Sequence, residues 1–335
     1  MSKLIALGDL HLTDQHGSGG LAKYVEKPDE YVMSEVSRVV KWGLKHDVLD
    51  YVFEGDICEN PRMSYEAQLA FARCLRRYPD LQFWLIPGNH DKVGRDSAEG
   101  HSLEIIKEMR IKNLKICLTD EVVQIGRTKV KMCPWPSTAF DPKMLNIGHV
   151  EVRGSKTDSG RKMEGEELSK SQAVVLMGHL HTPHKVRNTH YTGTLYQTNF
   201  GEPLPKGFHY VEWTSRDDHE ITHVPFDPKY KLHNCVIESE DDIKALPRSE
   251  TDLIKLVVKD GADVVVPQWS NIVVTKVFKT KNDLVSILTE DLLNGHELVI
   301  RSSDYFNKWL GAQTIPQALK VRATRLRKQI LGGGK

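Results

Sequence analysis

Five short clusters of acidic, amide and imidazole side chains mark the first half of the chain. They are Asp9-Leu10-His11, Asp56 after Gly55, Asn89-His90-Asp91 after Gly88, His149 after Gly148, and His179-Leu180-His181 after Gly178. Together they offer Asp9, His11, Asp56, Asn89, His149, His179 and His181, an oxygen and imidazole donor set without thiolate that exceeds the needs of one metal ion. Two divalent ions sharing one carboxylate would use it well. Such pairs stand about 3.5–4 Å apart, lower the pKa of water from about 15.7 toward about 7, and clamp phosphoryl oxygens, which is what phosphate ester hydrolysis needs. His90, next to Asn89, is placed to stand beside the ions without binding them. As imidazolium it would stabilise the transition state or protonate the leaving oxygen.

Singly these clusters carry unequal weight. An Asp-x-His or a Gly-Asp also serves as a cap or turn, and His149 is one of 15 histidines. A plain turn has no need of three successive ligand-type side chains, as in Asn89-His90-Asp91. His179 and His181 alternate with Leu180 and so point the same way from an extended chain. The ordered set is what argues for a metal centre.

Each cluster ends an apolar run, where a strand hands its last residues to a loop. Residues 3–8 read as a buried strand and the polar residues 13–30 as a long loop. Val36, Val39, Val40 and Leu44 recur at helical spacing, and 51–53 form a second strand. A helix from about 64 to 77 carries Ala67, Leu69, Ala70, Phe71, Cys74 and Leu75, and 83–86 is a third strand broken by Pro87-Gly88. This alternation implies a parallel sheet with covering helices, whose ligands bind beyond the carboxyl ends of the strands. From Leu114 the rhythm changes to short strands at 114–118, 122–125, 130–133, 145–148 and 174–177, which predicts a second sheet packed near the first. Residues 151–170, rich in Gly, Ser, Lys and Glu, read as a mobile insertion. Strand-like pieces at 189–193, 207–213 and 220–224 follow, residues 225–228 mark a boundary, and 235–237, 253–258 and 272–278 predict strands of a smaller α+β unit.

The 335 residues are enough for two or three domains. At 39% hydrophobic and 27% charged, the composition excludes a disordered chain, and a net charge of +1 leaves attraction for nucleic acid to local patches. No signal peptide or membrane span is recognisable, so a cytoplasmic protein is expected. Five cysteines without a C-x-x-C pair fit a reducing compartment.

The series Asp9-x-His11, Gly55-Asp56, Gly88-Asn89-His90-Asp91, Gly148-His149 and Gly178-His179-x-His181 resembles the calcineurin-like metallophosphoesterase superfamily over about the first two thirds of the chain. Within it, Tyr191-Thr192-Gly193-Thr194, Phe200-Gly201-Glu202, Lys206-Gly207-Phe208 and Tyr210-Val211-Glu212-Trp213 are similar to the SbcD-type DNA repair nucleases of bacteria and phage. The resemblance implies a four-layer α/β/β/α sandwich at 1–226, an α+β capping domain at 227–301 and a helical segment at 302–335. It implies one metal held by Asp9, His11, Asp56 and His181 and another held by Asp56, Asn89, His149 and His179, with His90 catalytic and Asp91 in a structural hydrogen-bonding role. Manganese is the ion that such relatives favour; magnesium, iron and zinc suit the same donors. Glu59 and Cys58 receive no role.

The implied substrate is DNA, cut as an exonuclease on duplex ends and as an endonuclease on single strands or hairpins, in a bacterial cell or phage-infected host. Residues 13–27 and Arg153, Lys156, Arg161 and Lys162 are candidate phosphate contacts, with an ordinary solvated loop as the alternative. Residues 305–335 carry seven basic side chains and no acidic one. Leu319, Ala323, Leu326 and Ile330 share a helical face after Pro316, and Tyr305, Phe306, Trp309 and Leu310 form an apolar patch before it. The resemblance makes this element the grip on an SbcC-type coiled-coil ABC ATPase in double-strand break processing; packing on the capping domain or contact with DNA are the alternatives. It also implies a homodimer. The competing functions are a phosphodiesterase or phosphatase acting on nucleotides or phosphoproteins, and a binding subunit that regulates the ATPase.

Overall fold

A computed structural model of the chain describes residues 1–13, 21–92, 103–168, 173–258, 264, 265, 267, 269 and 272–275. The residues proposed to grip an ATPase, Tyr305, Phe306, Trp309, Leu310, Leu319, Leu326 and Ile330, lie outside these.

The first sheet grows from alternating strands and helices: β1 (Ser2–Leu7), α1 (Pro28–Leu44), β2 (Asp50–Phe53), α2 (Tyr65–Arg76), β3 (Gln82–Leu85), α3 (Leu103–Glu108) and β4 (Leu114–Ile116). The four strands pair in parallel in that order, which brings the ends of β1, β2 and β3 to one edge. The helix α1 takes in the last three residues of the expected loop, 28–30. Pro28 supplies a preset φ in its first turn, where Asp29 and Glu30 also favour the positive end of the helix dipole. The Ser64 side chain caps α2 by accepting from the Ala67 N–H (3.1 Å).

A second sheet follows from β5 (Glu121–Ile125), β6 (Thr128–Cys133), β7 (Leu145–Gly148), β8 (Val174–Met177), β9 (His184–Val186) and β10 (Thr189–Tyr191), in the order β5-β6-β7-β8-β10-β9. Here β6, β7, β8 and β10 are parallel, while β5 and β9 are antiparallel edges. The hairpin of β11 (Lys206–Ser215) and β12 (Asp218–Phe226) returns to the first sheet, with β11 antiparallel to β1. The result is a mixed α/β unit with two six-stranded mixed sheets.

Alternation along the strands divides the apolar side chains between two cores. Ile5, Leu7, Tyr51, Phe53, Phe83 and Leu85 face α1, α2 and α3 through Val36, Val39, Phe71, Leu75 and Ile106. Leu4, Ala6, Val52 and Trp84 face the other way, onto Val130, Met132, Leu145, Ile147, Val174 and Leu176 of the second sheet. The outer face of that second sheet, with Val175, Met177 and Tyr191, is covered by Trp135, Phe140, Val152 and Leu168 from connecting segments; no helix takes part in this cluster among the described residues.

The segment expected to be a mobile insertion is instead folded as far as it is described, up to Leu168. The Arg153 N–H donates to the Glu166 carbonyl (2.9 Å), the Glu166 N–H to the Glu151 carbonyl (2.7 Å), and Val152 and Ser155 are buried. Gly154 and Gly160 take positive φ, of 91° and 80°, in its turns.

His190 (β10), His209 (β11) and His223 (β12) sit near one another, with ring centroids 5.9 Å apart for the first pair and 5.6 Å for the second. Burial, reinforced by the neighbouring imidazoles, holds His209 down to about 3. Burial, then Lys185 and His219, hold His190 to about 4. Both remain neutral in the fold while their unfolded counterparts gain a proton below about 6.5. Stability is therefore full above that value and is lost as pH falls toward the folded values, by about 2 kcal/mol per residue at pH 5. The melting temperature should fall between pH 7 and 5, and His209→Asn should make that fall shallower in calorimetry; identical pH slopes for the two proteins would refute this assignment.

The described residues divide into two compact units. The first, Met1–Asn234 with Ser249–Leu253, runs past residues 225–228. There the Leu232 N–H donates to Gln197 Oε1 (2.9 Å) and the Leu253 N–H to the Lys231 carbonyl (2.8 Å). The second begins at Cys235 and contains most of a three-stranded sheet, β13 (Leu232–Ile237), β14 (Leu253–Val258) and β15 (Ile272–Thr275), with α4 (Glu240–Lys244). Its small core is Ile237, Leu246, Ile254 and Leu256. No helix among the described residues is long and apolar enough to cross a membrane.

Candidate metal centre

The ends of five parallel strands deliver the donor side chains. Asp9 and His11 follow β1, Asp56 follows β2, Asn89 follows β3, His149 follows β7, and His179 and His181 follow β8. The two sheets share a core, so these ends meet. His11 Nε2 lies 3.0 Å from His181 Nε2. His149 Nε2 lies 3.2 Å from Asp56 Oδ2 and 3.1 Å from Asn89 Oδ1, and His179 Nδ1 is 2.8 Å from the same Asn89 oxygen. The His179 backbone N–H donates to Asp9 Oδ1 (3.0 Å), which ties the last cluster to the first. All seven predicted donors are thus brought together, with Asp9, His11, Asp56 and His149 buried.

The approach is close enough to constrain the backbone. His11, Asp56 and His179 all adopt positive φ, of 46°, 47° and 81°. Strained conformations of this kind cost about 1–3 kcal/mol each and cluster at functional sites. A Cβ on Gly88 would stand 2.1 Å from Asp56 Oδ1, so only glycine fits there. Asp91 is fully buried and accepts from the N–H groups of Gly88 (2.8 Å) and Cys58 (3.0 Å), the structural role expected of it.

The donors suit divalent cations. Asp9, His11 and Asp56 form one group able to hold an ion and Asp56, His149 and His179 another, so Asp56 belongs to both; His11, Glu59 and His90 form a third and Asp158, His181 and Glu202 a fourth. Asp9 Oδ2 is buried without a hydrogen-bond partner. His149 Nδ1 donates to the Glu54 carbonyl (2.7 Å) and His181 Nδ1 to Glu202 Oε1 (2.9 Å), which leaves the Nε2 lone pair of each facing the centre. Electrostatics point the same way. Burial works against protonation of His149, but the charge and contact of Asp56 and the charge of Asp9 overcome it and raise the imidazole to about 10. Burial likewise works against His11, and Glu59, Asp56 and Asp9 raise it to about 9. Burial alone would raise the Asp56 carboxyl, yet His149, His11 and His90 drive it well below the usual range. The pocket demands positive charge, which bound cations would supply.

No family model matches the chain, and no curated protein matches it. The case for the centre therefore stands on its own residues.

Four of them had no role in the reading of the sequence. Glu59 Oε2 is 2.9 Å from His11 Nδ1, and the Glu59 carbonyl accepts from His90 Nδ1 (2.8 Å). Glu202, itself buried, holds His181 and is paired with the fully buried Lys206, whose Nζ donates to Glu202 Oε2 (2.5 Å) and to the His181 carbonyl (3.0 Å). Glu151 Oε1 lies 3.1 Å from His179 Nε2. The only signal for Glu59 was its place three residues after Asp56. Glu202 and Lys206 stood in the segments that carried the resemblance, and nothing marked Glu151.

His90 donates its backbone N–H to Asp56 Oδ1 (2.8 Å) and lines an open groove of about 870 Å³ together with Glu59, Asn89, Lys92, Trp135, Glu151 and His179. Arg153, Lys156, Arg161 and Lys162 are exposed on the same loop as Glu151, but none of the four lines this groove, to which their loop contributes Glu151, Gly165 and Glu166. Arg153 is paired with Glu167 (3.4 Å).

Proposed function

We propose that the chain is a metal-dependent DNA nuclease subunit of the SbcD type, acting on duplex ends and on single strands or hairpins. The observation that carries this reading is the convergence of seven nitrogen and oxygen donors from five strand ends, with Asp56 common to two ion-binding groups and His90 on the adjoining groove. The ordered motifs that deliver these donors are those by which the chain resembles the calcineurin-like metallophosphoesterases, and the choice of DNA as substrate rests on that resemblance. The same reading makes the two packed sheets a version of the α/β/β/α sandwich, with connecting segments in place of the outer helices. A coiled-coil ATPase partner and a homodimer belong to it as well.

One ion would be held by Asp9, His11, Asp56 and His181 and the other by Asp56, Asn89, His149 and His179. A pair of divalent ions, manganese by this reading, supplies Lewis acidity toward water and toward phosphoryl oxygens. The chain's own part is positioning and proton transfer. Glu54 and Glu202 hold His149 and His181 in the tautomers that ligate. With Nδ1 donating to the Glu59 carbonyl, His90 is left with Nε2 to offer, and as imidazolium it carries the proton that a departing oxygen needs.

With manganese supplied, the purified protein should degrade labelled DNA and lose this activity to a chelator. His90→Ala should lower the rate by about 10²–10⁴-fold while metal content stays at the wild-type level. Hydrolysis confined to small phosphodiesters or phosphopeptides would show the nuclease reading to be wrong.

A further inference from the structure

We propose that Glu151 is a positioning residue that fixes the tautomer of His179, so that its Nδ1 is the nitrogen offered to a metal ion. The inference rests on the reading of the centre as binuclear. His179 has an oxygen at each ring nitrogen: Glu151 Oε1 is 3.1 Å from Nε2 and Asn89 Oδ1 is 2.8 Å from Nδ1. A neutral imidazole has one proton to give. Hydrogen bonds to a carboxylate are roughly twice as strong as those to a neutral oxygen, so the proton sits on Nε2. The Nδ1 lone pair then faces the Asn89 oxygen with no proton between them, within the group formed with Asp56 and His149. Without Glu151 the only acceptor is Asn89, the proton moves to Nδ1, and the nitrogen that should ligate is blocked.

The backbone around Glu151 is built to hold this contact. Tyr191, fully buried, accepts from the Val152 N–H (2.8 Å) and donates to the Val150 carbonyl (3.0 Å), so its hydroxyl pins the residues on both sides. The Glu151 carbonyl accepts from the Glu166 N–H (2.7 Å), and the chain passes so close that a Cβ on Gly165 would stand 2.4 Å from that carbonyl oxygen. His181 is held differently, by a carboxylate that is wholly buried. The Glu151 side chain is 39% exposed and lines the groove, so the two histidines of one loop depend on carboxylates of unlike setting.

The test uses the full chain with histidine nitrogen NMR in the metal-free state and manganese titration followed by electron paramagnetic resonance. Wild type should show His179 protonated at Nε2 and bind two ions. Glu151→Ala should move the proton to Nδ1 and weaken one of the two ions by about 10–100-fold, the usual effect of losing an outer partner of a ligand. Glu151→Gln keeps an acceptor oxygen and should restore most of both. Glu164→Ala, which removes an exposed carboxylate from the same loop, should change neither, which separates positioning from net charge. A Glu151→Ala protein with the wild-type tautomer and two wild-type affinities would overturn the proposal alone. A wild-type protein that binds fewer than two ions would overturn the binuclear reading and the proposal with it.

Discussion

Asp56→Ala is expected to empty the centre of both ions and to abolish cleavage, a deeper loss than the about 10²–10⁴-fold assigned to His90→Ala. The two residues differ in what depends on them. His90 donates its backbone N–H to Asp56 and is not among the seven donors assigned to the two ions, although its ring lies close enough to His11 and Glu59 to form a group with them. Asp56 is a member of two of the four groups able to hold an ion among the described residues, lies 3.2 Å from His149 Nε2, and receives the His90 N–H on its other oxygen. Its loss removes the one carboxylate that two ions would share and frees the loop that carries His90. Metal analysis after manganese loading should give two ions per wild-type chain, two per His90→Ala chain and fewer than one per Asp56→Ala chain. Two ions retained by Asp56→Ala would mean that Asp56 is not the shared ligand.

The sequence made the donors legible because they are short motifs at strand ends. A residue that closes a parallel strand is delivered to a common edge whatever the loops do, so the order of strands and motifs alone brings Asp9, Asp56, Asn89, His149 and His179 together. The period of apolar residues gave α1, α2 and most of the strands, but β4 and the hairpin of β11 and β12, expected with the second sheet, join the first, because alternation marks a strand and not its neighbour. The outer partners were not legible. Glu151, Glu59 and Glu202 reach their histidines across the fold, and a single carboxylate in a polar stretch has no pattern of its own. Residues 151–170 were read as a mobile insertion from their Gly, Ser, Lys and Glu content, whereas in the part described Gly165 is needed so that two stretches of one loop can nearly touch. The short edge strand β9 was missed because three residues, His184-Lys185-Val186, carry too little alternation to register.

Lys206→Met should destabilise the fold by about 3–5 kcal/mol, because it strands a buried carboxylate. Glu202 accepts from His181 Nδ1 (2.9 Å), Asn199 Nδ2 (2.9 Å), the Thr198 N–H (3.1 Å), the Thr198 hydroxyl and Lys206 Nζ (2.5 Å). Burial pushes its carboxyl up, but the contacts of His181 and Lys206 outweigh this and bring it down to about 2, so it is ionised at neutral pH. Removing the lysine leaves that charge without its cation and the His181 carbonyl with the Thr194 N–H (3.1 Å) alone. The paired change Glu202→Gln with Lys206→Met takes away both charges, and breaking a buried pair costs far more than replacing it whole. Urea unfolding of the double variant should therefore recover most of the stability lost in Lys206→Met. Metal binding should not recover with it. A neutral amide is a weaker partner for His181 Nδ1 than a carboxylate, so affinity on the His181 side should stay about 10–100-fold below wild type. If stability and affinity returned together, the pair would serve the fold alone; if the two separate as expected, Glu202 is retained for the histidine it holds.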